Sequence, residues 1–142
     1  MEVFLGNYPI ATDNGAAYQR QRDVLKAAIQ TYGTDHIAGM TVGNEFMLKY
    51  DWSRSPLEKL LTSCYSYLND NANSQADPNG AIGNQGAAIL ISYIQDTRNM
   101  LAGLSLTKNI PVGNSDAGSY FNTKVLQAVD YGVRQSAMRF RI

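Results

Sequence analysis

A single cysteine (Cys64) and a single histidine (His36) are all the chain has of the two residue types that build disulfides and most zinc sites. One of each makes neither a disulfide framework nor a Cys/His metal centre, and neither a metal nor any other cofactor is expected. Net charge is missing too, because 12 Lys and Arg face 12 Asp and Glu in 142 residues. Affinity for a nucleic-acid backbone comes from clustered cations that release counterions, so nucleic acid is not an expected partner. No run of about 18 apolar residues occurs, and no membrane span is expected. Met1 to Pro9 carry neither a basic lead nor a long apolar core, so no signal peptide is read in this chain. No G-x-x-x-x-G-K-[ST] is present, and no dinucleotide fingerprint follows the first apolar run. Glutamate is scarce, with only three in the chain: Glu2, Glu45 and Glu58.

What is present is a recurring pattern. Three short apolar runs each end in Gly-Asn: Val3 to Asn7, Met40 to Asn44 and Ile110 to Asn114. Continuous apolar runs of this length predict parallel strands covered on both faces. Between them, apolar residues recur at spacings of three and four. The first set predicts a helix from about Ala16 to Tyr32, with Val24, Leu25, Ala28, Ile29 and Tyr32 on its buried face and Gly33 as its stop. The second predicts a helix from about Gln85 to Leu104, with Ala87, Leu90, Ile91, Ile94 and Leu101 inward and Ser92, Gln95, Asp96 and Asn99 outward. A shorter helix follows Asn122, and Asp130-Tyr131-Gly132 opens another strand. Repeated βα units mean an α/β fold with a parallel sheet, either doubly wound or closed as a barrel. The missing nucleotide fingerprints favour the barrel. A (β/α)8 barrel needs eight units in about 250 residues, whereas three and the start of a fourth are visible here.

In such folds the active site forms at the carboxyl ends of the strands. Those ends hold Asn7, Asn44-Glu45 and Asn114-Ser115-Asp116. Glu45 directly follows a strand and sits beside an amide that can bind a sugar hydroxyl, which suits a general acid; the plainer reading is a helix cap or a solvated carboxylate. Asp116 is close enough to share a cleft, although the run Asp116-Ala117-Gly118-Ser119 also reads as an Asx-type turn in a loop. Tyr8, Phe46, Tyr120 and Phe121 flank the same rim and suit either stacking on sugars or packing. Gly83-Asn84-Gln85-Gly86 offers amides to an anion at a helix start, and His36 falls in a loop at the opposite end of the sheet.

Thr41 to Leu48 and Ile110 to Phe121, together with Tyr32 to Gly39, Gly83 to Leu90 and Val125 to Gly132, resemble glycoside hydrolase family 17, in particular the fungal-type cell-wall β-1,3-glucanases and glucanosyltransferases. The resemblance covers most of residues 1–132. It implies a fragment of a (β/α)8 TIM barrel, about strands 3 to 5 and the start of 6, acting on cell-wall β-1,3-glucan by a retaining mechanism. Glu45 matches the acid/base and Asn44 the residue that contacts the hydroxyl beside the reacting carbon, with Asn7, Tyr8, Asp116 and Tyr120 as further substrate-binding candidates. Family members work outside the cell or in its wall, and β-glucan is the one partner implied.

The sequence departs from the family in three places. Its first residues match the third strand, so two βα units and any leader have no counterpart. Residues 133–142 have no match, and the nucleophile glutamate of the seventh strand would lie beyond them. Asp51 to Tyr67 interrupts an otherwise continuous stretch. Lys49-Tyr50-Asp51 can be coded with a GTATGA splice donor and Cys64-Tyr65-Ser66 with a TTACAG acceptor, which fits a translated intron; the alternative is a true insertion forming an amphipathic helix on Leu57, Leu60 and Leu61. The expectation is a chain with the proton donor, without the nucleophile, and inactive alone. The other readings are a non-catalytic glucan-binding remnant or a mispredicted gene product.

Overall fold

The structure is a computed structural model and describes residues 2–54 and 77–135. Most of the proposed intron or insertion therefore lies outside the described residues. In chain order the elements are β1 (Val3–Asn7), α1 (Ala16–Tyr32), β2 (Ile37–Asn44), α2 (Phe46–Arg54), α3 (Ala81–Ala102), β3 (Val112–Ala117), α4 (Thr123–Ala128) and β4 (Tyr131–Gln135). The strands form one four-stranded sheet in the order β1-β2-β3-β4, and every neighbouring pair is parallel. The α/β class with a parallel sheet is thus as the sequence predicts.

Local chemistry sets the element ends. Asp13 accepts the amides of Gly15 at 2.9 Å and Ala17 at 2.7 Å, taking up donors that the first turn of α1 leaves without partners. Gly33, at φ 74°, closes the helix by donating to the Ile29 carbonyl. Asn122 caps α4 by accepting from Lys124 and Val125, while its own amide group donates to the Pro78 carbonyl ahead of α3. The starts of α3 and α4 are so tied together.

The helices lie side by side over one face of the sheet: α3 packs on β2 and β3 and touches α1, α2 and α4. Met40, Val42 and Val112 project to this face and meet Leu90, Ile94, Phe46 and Tyr50 in the core. Beside them Tyr18 stacks on Tyr93 with ring centroids 4.4 Å apart. The Tyr18 hydroxyl lies within hydrogen-bond distance of the Tyr93 carbonyl, Asp96 and Thr97. Burial pushes this phenol well above its usual range. On the other face Phe4 and Tyr131 meet edge to face at 5.3 Å, above Gly39, where a Cβ would press on both rings.

Three predictions about the helices need correction. Val24 and Tyr32 of α1 are 68% and 85% exposed rather than buried: α1 turns toward Tyr93 and Asp96 of α3 through Tyr18 and Arg22, so the inward stripe is Ala17, Tyr18, Leu25 and Ile29. The start of α3 lies at Ala81, four residues before Gln85. Finally, Gly83-Asn84-Gln85-Gly86 is inside that helix, where Asn84 donates to the Gly80 carbonyl as an ordinary helical bond. Gly83 and Gly86 lie too close to Pro78 and to the Tyr50 ring for any side chain, so these glycines serve packing rather than anion binding.

Candidate functional site

The carboxyl ends of β2 and β3 come together at one rim, and an irregularity in β2 governs what faces it. Thr41 pairs with Gly113, yet the next partners are Asn44 and Ser115. Three residues of β2 therefore run against two of β3, which is a β-bulge. Because side chains alternate along a strand, the extra residue changes which face Asn44 takes. Met40 and Val42 point toward the helices, and a regular strand would send Asn44 after them. The bulge instead aligns it with Ser115, on the face of Thr41, whose hydroxyl bonds Tyr131 at 2.9 Å. Gly43 makes this possible, with φ at 90° and a Cβ position only 2.7 Å from Asn114 Nδ2.

Glu45 comes next and is itself left-handed, at φ 54°. A non-glycine residue held there stores of order 1 kcal/mol or more of strain and needs its surroundings to hold it. They come from β3. Asn114 Nδ2 donates to the Val42 carbonyl at 2.9 Å, the Glu45 amide donates to the Ser115 carbonyl at 3.0 Å, and Asp116 Oδ2 accepts the Met47 amide at 3.0 Å. Three successive residues of one strand thus fasten the turn leaving another. The Glu45 side chain is about one-third exposed (33%), with Lys49 Nζ 3.7 Å from Oε2. The same ammonium donates to the Asn44 carbonyl at 3.0 Å.

Asp116 corrects the sequence reading. It is the fifth residue of β3 and has no exposed surface, whereas Asp116-Ala117-Gly118-Ser119 read as a loop turn. Pairing with Arg134 of β4 keeps the strand extended. Burial raises the Asp116 carboxyl to about 6; the amides of Met47, Ala117 and Leu48 act against this, and the charge of Glu45 adds to the rise. The two carboxylates that the sequence placed at one rim therefore influence each other.

The remaining candidates divide. Asn7 is fully buried on the helix face, with Nδ2 3.3 Å from the Tyr18 carbonyl. Its Oδ1, like that of Asn114, has no hydrogen-bond partner among the described residues. Tyr8 is exposed, and its backbone exchanges two hydrogen bonds with the Gln21 side chain. Tyr120 is half-buried against the core after a turn in which its amide meets the Ala117 carbonyl. Phe46 is a core residue, not a stacking platform. His36 is exposed in the turn before β2, at the amino end of the strand, as the sequence predicts. Asn114 and Ser115 are placed at the rim by the sequence, but their role in fastening the Glu45 turn is not foreseen. The repeated Gly-Asn ending was their signal, but it marks three strand ends with two opposite orientations.

No family model matches the chain, and no curated protein matches it. Among the described residues no group of three or more His, Cys, Asp or Glu could hold a metal ion. No described helix is long and apolar enough to cross a membrane. A cavity of about 460 Å³ lies between the end of α3 and the start of β3, lined by Arg98, Leu101, Lys108 and Ile110 among others. It is at the amino end of β3, away from Glu45, and Arg98 there is committed to Asp130 at 3.0 Å.

Proposed function

We propose that this chain carries the proton-donor half of a retaining β-1,3-glucan site, on a piece of a (β/α)8 barrel related to glycoside hydrolase family 17 and working at the cell wall. The observation that supports the reading best is the bulge at Gly43, which turns Asn44 away from the core and leaves the Glu45 carboxylate one-third exposed at the carboxyl rim. In this chemistry Glu45 protonates the leaving glycosidic oxygen and afterwards takes a proton from water or an acceptor sugar. Asn44 binds the neighbouring hydroxyl. Attack on the sugar carbon needs a second carboxylate about 5 to 5.5 Å away. Asp116 is no substitute, since it has no exposed surface from which to reach a sugar. A rim that offers Asn44 and the Glu45 carboxylate without such a partner binds glucan without cleaving it, which is also what a purely glucan-binding role would need.

Titration with laminari-oligosaccharides, followed through backbone amide signals, tests this. The expected result is saturable movement of the Asn44 and Glu45 signals, retained in Glu45→Gln and weakened about tenfold or more in Asn44→Ala by loss of a sugar hydrogen bond. No reducing sugar should be released from laminarin. Unmoved rim signals at saturating sugar would overturn the reading. Turnover by the chain alone would overturn the missing nucleophile.

A further inference from the structure

The first turn of a helix that directly follows a strand has amides without partners, and the residue before it normally supplies an oxygen. Here that residue is Glu45. Its side chain lies instead by Lys49 at the rim, while the Met47 amide donates to Asp116, a residue of the next strand. We infer that Asp116 is the positioning residue for Glu45: by capping α2 from β3 it relieves Glu45 of that task, locks the left-handed turn and leaves the Glu45 carboxylate available to a sugar. The inference deepens the glucan-site reading and rests on it for its functional meaning, but the geometry stands without sugar.

The arrangement has a cost that makes it measurable. A buried anion is placed near a second carboxylate, and Asp116 caps at full strength only when it is ionised. Among the described residues two cations lie near the pair. Lys49 on α2 approaches Glu45, and Arg134 on β4 stands opposite Asp116 in register and lies over Gly118. Because the Glu45 charge adds to the rise of the Asp116 carboxyl, removing that charge should shift the Asp116 titration, which the helix-capping Met47 amide reports.

The test is a carbonyl-detected NMR titration of the whole chain from acid to neutral pH, without ligand. The Met47 amide proton should follow the titration of the Asp116 carboxyl. In Glu45→Gln the Asp116 midpoint should move toward lower pH, because the repelling charge is gone. In Asp116→Asn the Met47 signal should lose that pH response, and the Glu45 amide coupling constant should drift from its left-handed value. Overturning results are a Met47 signal that ignores Asp116, or an Asp116 midpoint unchanged by Glu45→Gln. The Glu45→Gln arm changes only a partly exposed side chain, so the inference stays testable even if Asp116→Asn fails to fold. Linked titration without oligosaccharide binding would remove the glucan reading and keep the positioning role; binding with unlinked titration would do the reverse.

Discussion

Asp116 on β3 accepts the Met47 amide of α2 at 3.0 Å, across the strand pair that brings the two carboxyl ends together. The hydrogen bond joins elements nearly seventy residues apart, so the helix beginning just after β2 depends for its start on a strand formed much later in the chain. Loss of this contact should therefore be felt at the rim before it is felt in the core.

Stability should depend on pH through Asp116. Its carboxyl rises from 3.8 to about 6 on folding, so between those values the folded chain holds a proton that the unfolded chain has released. The contribution is fully present below 3.8 and is lost as pH rises through about 6. Urea unfolding across this window should show the wild type losing of order 1–3 kcal/mol relative to Asp116→Asn, whose side chain does not titrate.

Gly43→Ala should be disproportionately harmful for so small a change. A methyl group at φ 90° is strained, and it would stand 2.7 Å from Asn114 Nδ2. A loss of about 1–3 kcal/mol is expected by chemical denaturation. The amide signals of Asn44 and Glu45 should shift while those of Met40 and Leu90 stay nearly fixed.

Tyr18→Phe should cost about 1–2 kcal/mol by removing a hydroxyl that meets Thr97, Asp96 and the Tyr93 carbonyl. Asp96 is pushed upward by partial burial, but its bonds from Arg22 and Tyr18 prevail and hold it below the usual carboxylate range. Stability from Asp96 is thus present above 3.8 and lost as pH falls through its lowered value. Without the Tyr18 donor this acid loss should shrink, and acid denaturation curves of the two proteins would reveal it.

Leu90→Ala and Val24→Ala should differ sharply, although both are apolar helix positions. Leu90 is fully buried, and its truncation should cost about 2–5 kcal/mol. Val24 is 68% exposed, and its truncation should stay within about 0.5 kcal/mol. Equal losses in thermal or urea unfolding would contradict the orientation of α1.

The parallel strands and both longer helices are legible in the sequence because short apolar runs and a spacing of three and four are local signals. Gly33 ends α1 where its backbone freedom suggests. Misreadings arise where distant partners decide. Val24 and Tyr32 fit the period of a buried stripe, but the bonds of Tyr18 and Arg22 to α3 set the rotation of the helix. Gly83 and Gly86 read as amides offered to an anion at a helix start, but they are glycines because Pro78 and Tyr50 occupy the space a side chain would need. Asp116 resembles a turn residue until β4 pairs alongside it. At the site, Glu45 can be singled out by its place after a strand, whereas the bulge beside it has no one-dimensional mark: Gly6-Asn7, Gly43-Asn44 and Gly113-Asn114 look alike, and only the middle one is turned over.

The irregular residue at Gly43 also separates two jobs within one strand. Upstream of it, Met40 and Val42 keep their places against α3 whatever stands at the tip; downstream, Asn44 and Glu45 answer to Ser115 and Asp116. Exchanges at the tip can then change the side chains presented at the rim without renegotiating the interior.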